Sequence, residues 1–224
     1  MNCILIAILL FVVFYSFRPK VSHPVEIIVD QVLQDQAKSV AALFSLNLEK
    51  ARLDTKFLAE IATDIFSHPE SFRLSPQPGE YDYDEKIGIY GSVRNDGMSV
   101  AFLSTLTPLT PTLLKEVRLS EYLNPMFQSL LRQNPAYGRL SLITVDSFQR
   151  SFPWFDFKEQ IRSGSLKKDY QSSGLSIFVK ATPVNDPQHD AVWEVVGEDS
   201  PGQGNRVLCA APFFVEDQFH GILV

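Results

Sequence analysis

Residues 150 to 156 read Arg-Ser-Phe-Pro-Trp-Phe-Asp, which places a guanidinium, two adjacent aromatics and a carboxylate within seven positions. Arginine presents a planar fork of donors that pairs bidentately with a carboxylate, so Arg150 is a candidate anchor for an acid group. Trp154 and Phe155 could form an aromatic wall. Asp156, or Asp169 further on, could hold an amine. Tyr170 and Trp193 would complete an apolar pocket with a few polar anchors, the usual makeup of a small-ligand site. Taken singly, each of these aromatics reads better as a core residue. The cluster as a whole, beside polar residues in irregular sequence, reads equally well as core or as a binding site.

Catalytic chemistry finds little support. The four histidines, His23, His68, His189 and His220, have no metal-like partner at helical or short spacing. No Gly-x-Ser-x-Gly elbow occurs. Gly202-Gln203-Gly204 leads into a strand-like run rather than a helix, so it reads as a turn and not as a phosphate cradle. Tyr81-Asp82-Tyr83-Asp84-Glu85 gathers three carboxylates without the glycine turn and ligand spacing of a calcium loop, and reads as a solvated acidic connection. Cys209 lies in the apolar run Val207 to Ala211, where a buried, inert thiol is expected. It has no disulfide partner in prospect, since Cys3 sits in the N-terminal apolar run. The chain is expected to be no enzyme and to need no cofactor.

The elements that must position the cluster can be read from periodicity. Apolar residues from Val25 to Ile65 recur at helical spacing, which predicts one helix from about Ser22 to His68-Pro69, some 65 Å long at 1.5 Å per residue. Strand-like runs at 87–93 and 98–105 flank Asn95-Asp96-Gly97, a hairpin signal. Thr110-Pro111 and Asn124-Pro125 each pair a capping residue with proline at a helix start. Further strands are expected at 138–146, 175–181, 191–196, 206–215 and 219–224. The order is a long helix, a hairpin, short helices, then an antiparallel meander. That is an α+β layout with one sheet.

Length and composition agree with a single sizeable domain behind an N-terminal segment. The 224 residues carry a formal net charge of −6 and no Lys/Arg cluster, so nucleic acid is not an expected partner. Asn2 to Phe17 is uncharged and nearly long enough for a span of about 20 residues. With no basic start and a poor cleavage site, it reads as an uncleaved membrane anchor. The expected division is an anchor at 1–20, a stalk and packing helix at 21–70, and a folded domain at 71–224.

Three stretches carry a resemblance to the Cache family of extracytoplasmic, PAS-like sensor domains. Leu123-Asn124-Pro125-Met126-Phe127 to Asn134-Pro135 is similar to the helix before the central strands. Thr144-Val145-Asp146-Ser147 with Arg150 and Phe152-Pro153-Trp154 is similar to the strand and ligand loop. Val192-Trp193-Glu194, Pro201 to Gly204, Cys209 to Phe214 and Gly221 to Val224 resemble the closing strands. The resemblance implies a PAS-like antiparallel sheet behind a long helix continuing from the anchor. It also implies a pocket for a small metabolite, amino acid or organic acid. Such modules front bacterial chemoreceptors, histidine kinases, diguanylate cyclases and phosphatases, with the sensor in the periplasm and the anchor in the inner membrane. Amino-acid-binding members place an arginine two residues before the tryptophan, whereas Arg150 lies four before Trp154. A homodimer through the long helix is a further expectation.

Overall fold

The computed structural model describes residues 23–72, 80–197 and 206–224. The expected anchor at 1–20 lies outside them. Among the described residues no helix is long and apolar enough to cross a membrane. The chain divides into two compact units, Met1–Glu49 and Lys50–Val224.

Helix α1 spans His23–Ser67, close to the predicted limits. It stops where Pro69 would remove a backbone donor, and the last turn closes with His68 N donating to Asp64 O at 3.0 Å. In the first unit its side chains Val32, Leu33, Val40, Leu43, Phe44 and Leu46 are exposed. In the second unit Leu58, Ala62 and Ile65 form a buried stripe at positions i, i+4 and i+7.

Eight strands form one sheet in the order β1-β2-β3-β5-β4-β8-β7-β6, with every neighbouring pair antiparallel. They are β1 Tyr81–Asp84, β2 Ile89–Ser92, β3 Val100–Leu103, β4 Leu140–Thr144, β5 Phe148–Phe152, β6 Val192–Val196, β7 Arg206–Val215 and β8 Gln218–Leu223. The helices are α2 Pro111–Leu119, α3 Asn124–Gln133, α4 Phe157–Arg162 and α5 Ser176–Lys180. The α+β class and the closing meander β6-β7-β8 follow the sequence reading. So does the β2–β3 hairpin, whose turn places Gly97 at φ +79° and is tied by Asn95 and Asp96 accepting from Gly97 N and Met98 N.

Alternation along the strands sorts the side chains onto two faces. On the first, Ala101, Leu103, Leu140, Leu142, Phe148, Ala211, Phe213 and Leu223 merge with α1, α2 and α3 into one continuous core. Full burial of a Leu or Phe there contributes about 1.5–3 kcal/mol. The opposite face carries two separate clusters. Ile87, Ile89, Val100 and Phe102 lie under α4, and Ile143, Ala210 and Ile222 lie under α5.

Several expectations are corrected. The acidic stretch at Tyr81–Asp84 is the edge strand β1 rather than a solvated loop. Residues 148–152, where no strand is expected, form strand β5. The run at 175–181, read as a strand, is helix α5. A run of seven residues, five of them apolar, has no decisive period, and here Ile177, Phe178 and Ala181 meet the sheet from one side. Thr110 caps α2 as expected, accepting from Leu113 N at 3.2 Å. Asn124 does not cap α3. The 3-10 turn Ser120–Leu123 runs straight into that helix, and the Asn124 side chain accepts from Ser99 Oγ instead.

Candidate functional site

Arg150 sits in the middle of β5 and is 1 % exposed. Its register partners Ala101 and Leu142 belong to the first-face core, so its side chain enters that core and not the aromatic loop. There Nε donates to Ser120 Oγ at 2.7 Å and Nη1 to Ser99 Oγ at 2.6 Å. Nη2 donates to Tyr81 Oη and Val117 O, both at 2.8 Å. Tyr81 passes the interaction on, donating to Glu121 Oε1 at 2.8 Å. Burial pushes the Tyr81 phenol up to about 12, with Arg150 working against the rise. These contacts bind β1, β3, α2 and β5 together around one guanidinium. Arg150 is placed to hold the architecture, with its donors directed at protein rather than at a ligand carboxylate.

The other predicted site residues separate into groups. Trp154, Phe155 and Tyr170 come together on the second face, half-buried against the cluster under α4. The Tyr170 ring lies 6.1 Å from that of Phe102, and burial raises its phenol to about 12. Asp156 caps α4, accepting from Glu159 N at 2.9 Å. Asp169 is exposed in the loop before Tyr170. Trp193 pairs across the sheet with Cys209, whose thiol meets Thr55 of α1. It therefore belongs to the first face, with the sheet between it and Trp154. Cys209 is buried, and burial raises its thiol to about 11, as expected of an inert cysteine.

Between the two second-face clusters runs a polar strip that no sequence motif announces. The register sets two rows across the sheet. One reads Phe102, Gln149, Ile143, Ile222, and the next reads Val100, Ser151, Ser141, Val224. Gln149, Ser151 and Ser141 are 7 %, 0 % and 6 % exposed. Gln149 Nε2 donates to Ser151 Oγ at 2.9 Å, and the Ser151 and Ser141 hydroxyls are 2.7 Å apart. Gln149 Oε1 is buried without a hydrogen-bond partner among the described residues, as is Oγ of Ser172, whose 3-10 turn packs against β4. A buried amide oxygen left unpaired costs about 1–3 kcal/mol, so such atoms ask for a reason.

Arg139 lies one alternation step before Ser141, on the same face. It is exposed, and its guanidinium stands over the Phe155 ring, 4.2 Å from the centroid. Burial of its head among neighbours lowers its pKa from the ordinary arginine value. The nearby Arg206 charge adds to that, and Tyr170 opposes it. The strip thus runs from a neutral, buried amide at Gln149, over two hydroxyls, to a cation at its outer end.

No family model, no curated protein and no solved structure matches this chain.

Two other features compete for attention. An open hollow of about 560 Å³ lies beside α5 and β6, lined by Ser176, Val179, Lys180, Asn185 and Val192. Lys180 there is already committed to Glu194 at 2.8 Å. On the first face His220 Nε2 and Glu116 Oε2 stand 3.4 Å apart, with the rings of Phe66 and Phe213 beside the imidazole. Among the described residues no group of three or more His, Cys, Asp or Glu is placed to hold a metal ion.

Gln149 and Ser151 are not legible in the sequence because β5 is not, and Ser141, within the expected strand at 138–146, has no visible polar partner without them. With β5 recognised, alternation alone would have sorted Phe148, Arg150 and Phe152 from Gln149 and Ser151.

Proposed function

We propose that this chain is the small-molecule-sensing module of a membrane-bound bacterial signalling receptor, a PAS-like domain of Cache type held outside the cytoplasm by residues 1–20. One observation carries the reading: the buried, unpartnered Gln149 Oε1 on a polar strip between two apolar clusters, with Trp154, Phe155 and Tyr170 on the flank. Few polar groups set in apolar and aromatic walls make a recognition site for a small molecule. The PAS-like part is supported by connectivity. Strands β5-β4-β8-β7-β6 form an antiparallel unit, and the chain between β5 and β6 supplies α4 and α5 over one face.

Signalling then works by population shift. The ligand favours one of two arrangements of the strip and its covering helices, and the bias reaches α1 through the shared sheet. Dimerisation along the first part of α1 belongs to the same reading, supported by its exposed Val32, Leu33, Val40 and Phe44. The catalytic output of such a receptor would lie in other domains.

The test is a thermal-shift screen of small metabolites on the full chain in detergent. At least one compound should raise the melting temperature, and Gln149→Leu should remove that rise while leaving the unliganded chain folded. A ligand whose stabilisation is unchanged by Gln149→Leu would place the site elsewhere. No stabilising compound across a broad library would end the sensing reading.

A further inference from the structure

The sheet ends on two outer strands, and they are built differently. β1 carries Asp82 and Asp84, with Glu80 just before it, and Asp82 is exposed. Carboxylates on an outer strand repel a second strand of the same kind and keep the edge single. β6 reads Val-Trp-Glu-Val-Val, without lysine or proline, and its register with β7 is unbroken. Its one charge is answered within the chain, Glu194 accepting from Lys180 Nζ at 2.8 Å. Val195 is 72 % exposed, and Val207 beside it is 46 % exposed. Among the described residues β6 pairs with β7 alone, so its outer row of backbone groups has no strand beside it. An outer strand that is apolar, unbulged and undefended is a template for another strand.

The residues of β6 say which strand that is. Alternation puts Val192 and Glu194 on the second face, with α5, and Trp193 and Val195 on the first. About Glu194 the strand is its own complement, with two apolar residues on either side. Two copies laid antiparallel and centred on Glu194 set Trp193 of each against Val195 of the other. Such aromatic and β-branched pairs across strands stabilise sheets, and here the indole covers the exposed valine. Val192 of each copy meets Val196 of the other, at the mouth of the open hollow that Val192 and Val179 line beside α5. Charge is complementary as well. The two Glu194 carboxylates face each other across the axis, and each arrives with a lysine. Lys180 has a side chain 47 % exposed, free to bridge both carboxylates. Two ammoniums and two carboxylates then alternate without net charge. A centre at Trp193 or Val195 loses this, since it sets Glu194 against Val192 or Val196. Like edge on like edge also closes at two copies, whereas β6 against β1 would propagate.

We infer that β6 is a self-association edge: two copies of this chain join antiparallel through it, centred on Glu194, into one continuous sheet. The inference is independent of the sensing reading and of any contact along α1.

The experiment is cysteine cross-linking of the full chain in detergent, in a Cys3→Ser background with Cys209 buried. Directly opposed antiparallel residues have Cα atoms about 4.5–5.5 Å apart, within the span of a disulfide. Diagonal neighbours stand about 7–8 Å apart, beyond it. Under mild oxidation Glu194→Cys should form a covalent dimer roughly tenfold or more faster than Val195→Cys, or than Asp82→Cys on the other outer strand. Exposure alone predicts the reverse order, because Val195 is 72 % exposed and the Glu194 side chain 15 %. Adding Val195→Lys to Glu194→Cys should slow cross-linking by roughly tenfold or more, since it sets a charge where the indole packs. Val195→Thr, which keeps the branched shape without the charge, should leave the rate nearly unchanged. Circular dichroism and the melting temperature of the reduced chains check that each variant is folded. Equal rates at positions 82, 194 and 195 would overturn the inference, and a dimer held through α1 alone would give that result. Fastest cross-linking by Val195→Cys would overturn it too, as would a Glu194→Cys dimer indifferent to Val195→Lys. A purified chain that does not cross-link at Glu194→Cys would also overturn it, and would leave the edge to a strand from another protein.

Discussion

On the first face of the sheet a full positive charge, Arg150, is buried to 1 % exposure, and its donors meet Ser99, Ser120, Tyr81 and Val117. On the opposite face of the same strand a neutral amide, Gln149, is buried to 7 % exposure, and its oxygen has no hydrogen-bond partner among the described residues. The two residues are adjacent in sequence and point in opposite directions. The first has every mark of a structural group: deep burial, neutral acceptors spread over several elements, and a relay through Tyr81 to Glu121. The second has the mark of a group kept ready for something else. Burial alone does not separate architecture from function. Satisfaction of the buried group does.

The contrast can be broken in order of expected effect. Arg150→Ala removes a guanidinium that ties β1, β3 and α2 to β5, leaves a cavity, and orphans several acceptors. Urea unfolding should report a loss of about 3–5 kcal/mol. A loss below about 1 kcal/mol would mean that the network contributes little to the fold. The next largest effect is alkaline. Tyr81 on the first face and Tyr170 on the second both have phenols raised to about 12 by burial. A raised folded-state pKa means that the native chain holds its proton longer than the unfolded one. The associated stability is whole below about pH 10, the unfolded value, and drains away as pH rises toward 12. Denaturant midpoints measured from pH 9 to 12 should fall through that window, and Tyr81→Phe should flatten the fall. The smallest effect is expected at the strip. Gln149→Leu gives up the bond to Ser151 but also removes an unpaired amide oxygen, so stability should change by less than about 1 kcal/mol in either direction. A loss as large as that of Arg150→Ala would make Gln149 a structural residue and erase the distinction.

Much of the fold was legible because its signals are local. The apolar stripe of α1, the cap at Thr110, the turn at Asp96-Gly97 and the meander from Val192 onward each follow from spacing and turn chemistry. The failures have a common cause. Strand β5 reads Phe-Gln-Arg-Ser-Phe, and β1 reads Tyr-Asp-Tyr-Asp, so neither looks like a buried apolar run. Both are in the sheet because tertiary contacts pay for what local propensity does not. Arg150 is tolerated in β5 only because Ser99, Ser120 and Tyr81 reach it from elements 30 to 69 residues away in sequence. The candidate site suffered the same way. The aromatic loop was visible as Trp154 and Phe155, and the structure does set them beside Tyr170. The polar residues nearest to them in sequence, Arg150 and Asp156, enter the other face and cap α4. The sheet instead supplies Gln149, Ser151, Ser141 and Arg139, sorted onto one face by an alternation that becomes readable only once the strand is known.

The most direct test of the account is a crystal structure of the chain grown with the best ligand from the metabolite screen. The ligand is expected on the second face, over the Ser141–Ser151 floor, with a donor atom within hydrogen-bonding distance of Gln149 Oε1. A ligand seated in the hollow beside α5, or on the first face against Arg150, would contradict it. So would Gln149 Oε1 closed off by Ser172 with side chains filling the floor.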